Sequence, residues 1–175
     1  SCADDLLLFT QTVEKVTVFH LGAGCTNPQM MKPTLVVRKH TERVLRPLTV
    51  ERPYAVLREA NLLVTNCQSE SAIPNLESSM ILRIESECIQ DMPKTSVSYW
   101  LVTASMGKGE SNKLALKEKD LISVGGVAAR LVKAETGETF EAVSLGDKGG
   151  TVFCFLPLPI KSLLPVHING FFAVT

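Results

Sequence analysis

The chain has 175 residues, 45% of them hydrophobic and 21% charged, with eighteen basic residues balancing eighteen acidic ones. This composition supports a single domain, residues 1–175, with an apolar core, and excludes a disordered polypeptide. Zero formal charge argues against nucleic acid, which demands clustered Lys and Arg, and no apolar run approaches the roughly 20 residues needed to span a membrane.

In chain order, residues 3–11 read as a short helix. Asp4 and Asp5 fall in its first turn, where negative charge suits the dipole, and Leu6, Phe9 and Val13 have helical spacing. Residues 16–21 are β-branched and aromatic and read as a strand. Residues 22–33, with two glycines and two prolines, read as a loop, and 34–39 as a second strand. Residues 54–65 fit a strand or a helix equally well. Residues 66–79 are polar, contain Pro74, and read as a loop.

Residues 80–89 give a clear strand signal. Met80, Leu82, Ile84 and Cys88 fall on one face and Arg83, Glu85 and Glu87 on the other, as in a half-buried antiparallel strand. Residues 96–104 read as another strand, with Tyr99 and Trp100 on opposite faces. A helix is expected over 111–124, capped by Ser111 and stopped by Gly125-Gly126. Residues 127–133 and 139–145 read as a hairpin across Thr136-Gly137. A turn at 146–150 precedes a buried strand at 151–156, and 166–174 reads as the last strand. About seven strands and two or three helices, without a βαβ rhythm, predict an α+β domain with a mixed or mostly antiparallel sheet.

No catalytic motif is complete. Residues 105–111, SMGKGES, contain Gly-Lys, but the position five before Gly107 is Val102 and Gly109 follows Lys108, so a phosphate loop is excluded. His20, His40 and His167 are widely separated. The five cysteines, Cys2, Cys25, Cys67, Cys88 and Cys154, form no Cys-x-x-Cys pair and read as reduced thiols. Cys88 and Cys154 sit in apolar runs, where cysteine acts as a small hydrophobe, so a Cys154–His167 dyad is disfavoured. Residues 38–58 carry six basic side chains, interrupted by Glu42 and Glu51 and followed by Glu59, the pattern of a solvated face.

The informative stretch is 152–172, VFCFLPLPIKSLLPVHINGFF. Pro157, Pro159 and Pro165 fix φ and hold an extended link after a buried strand. Asn169-Gly170 suits a tight turn or bulge. The link reads either as a rigid crossover or as a surface loop meeting a neighbouring domain. The candidate interaction residues are Pro157, Leu158, Pro159, Lys161, Pro165, His167 and Asn169.

FCFLPLP at 153–159 and LPVHING at 164–170 resemble a segment that recurs in the repeats of the sacsin family, F-C-F-L-P-L-P followed by T-G-L-P-V-H-I-N-G. LLLFTQTVEKVTVFHL at 6–21 is similar to the family pattern L-L-F-L-x-x-V-E-K-I. One departure stands out: Ser162-Leu163 replaces Thr-Gly, and leucine is a poor residue for a left-handed turn. The resemblance implies an internal piece of a giant cytoplasmic chaperone-like protein, lying where a chaperone middle domain follows a nucleotide-binding region. It implies no catalytic residue and no cofactor in this chain, with ATP belonging to the adjacent upstream domain. Implied partners are other domains of the same polypeptide, chaperones of the seventy-kilodalton heat-shock class, and client or intermediate-filament proteins; the family association extends to mitochondria and neurodegeneration. The expected function is a non-catalytic coupling or binding module. The alternatives are a purely structural spacer, or an accessory domain that lends Lys161 to an adjacent ATPase.

Overall fold

The computed structural model describes residues 5–10, 12–20, 31–47, 77–89, 93–106, 123–135 and 137–170. Among these residues nine strands form one sheet: β1 (Lys15–Phe19), β2 (Pro33–Arg46), β3 (Glu77–Cys88), β4 (Lys94–Met106), β5 (Val124–Lys133), β6 (Phe140–Ala142), β7 (Gly150–Cys154), β8 (Leu156–Ser162) and β9 (His167–Gly170). The order is β1-β2-β3-β4-β5-β9-β7-β8, with β6 also paired to β5. Strands β1 to β5 form an antiparallel meander, and β9 joins β5 antiparallel and β7 parallel. The sheet curls into a half-barrel.

The expected α+β class is overturned, because the described residues contain no α-helix and only one 3-10 turn, Gly146–Lys148. The physical reason is visible at the N-terminus. A helix over 3–11 would bury one stripe, but here the consecutive Leu7, Leu8 and Phe9 are buried while Val13 is exposed. Residues 5–9 form turns that plug the sheet instead. So short a segment has little intrinsic helicity to set against that burial. Gly125 and Gly126 lie in β5, as does Val124, the last residue of the expected helix. Residues 54–65 and 111–122 lie outside the described residues, as do most of the loops expected at 22–33 and 66–79.

Strand register explains the core. Leu82 pairs with Trp100 and Met80 with Val102; Val102 pairs with Ala128, and Ala128 with His167. Side chains alternate across a strand, so these residues share one face with Val37, Ile84 and Phe153. Leu7, Leu8 and Phe9 complete the buried cluster from above that face. Gly126 makes room for the plug: a Cβ there would sit 3.1 Å from the Phe9 ring. The opposite face carries ion pairs, among them Arg38–Glu87 at 3.3 Å, His40–Glu85 at 3.6 Å and Arg46–Glu77. Exposed pairs of this kind contribute little stability, and the same face also carries the buried Val36 and Ile81.

Candidate functional site

The sequence-predicted residues gather where β7, β8 and β9 close the sheet. His167 and Asn169 point to the concave face and hold neighbouring backbone. The Thr151 N–H donates to His167 Nδ1 at 2.9 Å, and the Phe155 N–H donates to Asn169 Oδ1 at 2.8 Å. Phe155 links β7 to β8 with φ of 60°, the one left-handed non-glycine among the described residues. Such a conformation persists only where the surroundings over-determine it, and Asn169 supplies that restraint.

The His167 ring is 3% exposed, packed between Trp100 at 5.0 Å and Phe153 at 5.3 Å between ring centres. Because Nδ1 accepts, Nε2 carries the proton of the neutral ring. Nε2 lies 3.5 Å from Asp5 Oδ2 without a hydrogen-bond partner among the described residues. Burial, reinforced by the positive charge of Lys161, pushes the imidazole down to about 4. The ring is therefore neutral at physiological pH and acts as a structural latch.

The Cys154–His167 dyad does not assemble. Thr151 and Phe153 share His167's face, so alternation turns Cys154 the other way. The expectation of buried cysteines is also corrected: Cys88 is exposed at the end of β3 and Cys154 is half-buried. Cys2, Cys25 and Cys67 lie outside the described residues.

Pro157 and Pro159 lie in β8, which ends the sheet and pairs only with β7 among the described strands. Proline cannot donate to a ladder, so these residues blunt the edge against further strands. Leu158 is half-buried, whereas Leu156, Ile160, Leu163 and Leu164 form an exposed apolar row along β8 and the bend after it. Leu163 is fully exposed and keeps negative φ, so the Ser162-Leu163 departure needs no left-handed residue. Pro165 closes that bend, and the row borders a cleft of about 430 Å³ lined by Gly146, Asp147, Gly149 and residues 161–165. Lys161 Nζ donates to Thr151 Oγ1 at 2.8 Å, which ties the ammonium to β7. Gly150 fixes the bend from below: its N–H donates to Leu164 O at 2.7 Å, and a Cβ would fall 1.8 Å from Val166 O. Sequence reading missed Gly150 and Asp5; a glycine opening a buried strand was the available signal for the first.

No family model matches the chain, and no solved structure matches it. Human sacsin is 28% identical over 223 residues, an alignment that covers 99% of this chain. The chain spans 5% of that relative's length. The similarity extends well beyond the two segments 153–159 and 164–170: this chain resembles a stretch of sacsin across nearly its whole length.

Proposed function

We propose that this chain is a non-catalytic interaction module of a longer chaperone-like polypeptide, and that its β7–β9 end packs against a neighbouring domain of that polypeptide. The observation that carries this reading is the exposed row Leu156, Ile160, Leu163 and Leu164, held rigid by the His167 and Asn169 latches. Four large apolar side chains exposed within nine residues of one edge segment favour a contact surface over a bare spacer. A surface fixed in advance loses little conformational freedom on binding. The sacsin-related sequence supports the chaperone-like setting, since so large a relative has many domains to pack against. Coupling to an upstream nucleotide-binding domain, and transient contact with client proteins, follow from the same reading.

The accessory reading, in which Lys161 lends its charge to an adjacent ATPase, has less support because that ammonium already serves Thr151. Calorimetry with ATP tests the module reading. This chain alone should give no saturable heat, and a longer polypeptide that includes the upstream region should bind. Micromolar binding by this chain alone would overturn the non-catalytic assignment.

A further inference from the structure

The segment from Asp5 to Thr10 sits in the sheet as a peptide sits in a groove. Leu7, Leu8 and Phe9 are almost fully buried. Within the segment the Leu8 N–H donates to Asp5 O at 3.2 Å, and the Thr10 hydroxyl donates to Leu7 O at 2.9 Å. Buried side chains attach it to the sheet, with a polar anchor at each end. At one end Asp5 Oδ2 lies 3.5 Å from His167 Nε2, and at the other Lys39 Nζ donates to Thr10 O and, at 3.2 Å, meets Thr10 Oγ1.

The floor is shaped for this occupant. Gly126 and Ala128 keep the β5 strand low, and Phe9 rests over Gly126 with its ring edge-on to Phe153 at 5.0 Å. The acid-reading end is incompletely used, since His167 Nε2 is buried and lacks a hydrogen bond among the described residues. A carboxylate reaching farther would satisfy it, and an unsatisfied buried donor favours any occupant that does so.

We propose that the concave face is a peptide-accepting groove, specific for an acid followed by three apolar residues, an aromatic and a hydroxyl residue, and that it takes the Asp5–Thr10 segment of a second copy of this chain in exchange for its own. Such exchange reuses the native contacts, so it demands no new interface. The groove is distinct from the apolar row on β8, and neither assignment depends on the other.

The test uses the full chain and a fluorescently labelled synthetic peptide of residues 5–14. In the Phe9→Ala chain the internal competitor is weakened, so the peptide should bind on the order of a hundredfold more tightly than to the wild-type chain. A peptide with Asp5→Glu should bind more tightly still, because the added methylene closes the gap to His167; a Phe9→Asp peptide should not bind. No saturable binding to either folded chain would overturn the proposal. Should Phe9→Ala fail to fold, sedimentation of the wild-type chain decides. A concentration-dependent dimer dissolved by excess peptide supports exchange, and a chain that stays monomeric at every concentration refutes it.

Discussion

Replacing His167 separates two contributions that the structure joins in one side chain. His167→Ala leaves the buried Thr151 N–H without its acceptor, a cost of about 1–3 kcal/mol. It also opens a cavity between Trp100 and Phe153, which costs about 2 kcal/mol more. The sum is about 3–5 kcal/mol. His167→Asn places an oxygen near the position of Nδ1, keeps the Thr151 bond, and should cost only about 2 kcal/mol. Urea unfolding followed through Trp100, the single tryptophan of the sequence and a buried one, reads both. With a slope of about 2 kcal/mol per molar, the midpoints should fall by about 1.5–2.5 M and about 1 M. Equal losses for the two variants, or an Ala variant within about 0.5 kcal/mol of wild type, would refute the latch.

The same ring sets a pH dependence with a definite sign. Its folded value, about 4, lies below the ordinary 6.5, so between these values the unfolded chain binds the extra proton. Stability is full above pH 6.5 and falls as pH drops towards 4, by at most about 3 kcal/mol. His167→Asn should flatten this part of the profile.

Three further outcomes follow from single positions. Gly150→Ala forces its Cβ against Val166 O and should cost about 3 kcal/mol or more, detectable as a large midpoint loss in the same urea assay. Asn169→Ala should cost about 1–3 kcal/mol by orphaning the Phe155 N–H, whereas Asn169→Asp, which keeps an acceptor oxygen, should recover most of that in thermal unfolding. Leu163→Asp should change the stability of this chain by less than about 0.5 kcal/mol, since the side chain is fully exposed, yet weaken domain packing in a longer polypeptide, read by limited proteolysis.

The strands were legible where alternation was strict. In β3, Met80, Leu82 and Ile84 face one way and Arg83, Glu85 and Glu87 the other, and the opposed faces of Tyr99 and Trp100 in β4 follow from the same period. The hairpin around Gly137 was legible from its turn residues, and the Gly137 N–H donates to Ala134 O at 2.8 Å. The fold class was not legible. Leu6, Phe9 and Val13 mimic helical spacing, but the half-barrel needs a plug, and burial of three consecutive apolar side chains outweighs local propensity. The candidate site was half legible. Its residues stood out, but the roles of His167 and Asn169 depend on the parallel pairing of β9 with β7, a long-range contact that no local pattern announces. Proline content at 157–165 suggested a loop, while two of those prolines lie within an edge strand, where proline is tolerated.

On the proposed reading, the row Leu156, Ile160, Leu163 and Leu164 should be covered by a neighbouring domain in a longer polypeptide. Hydrogen exchange read by mass spectrometry tests it most directly, by comparing the segment 156–166 in this chain and in a longer polypeptide that includes its flanking regions. Slower exchange of that segment in the longer polypeptide, with the exposed half of β2 unchanged, is the predicted result. Identical exchange in the two would refute domain packing at the β7–β9 end.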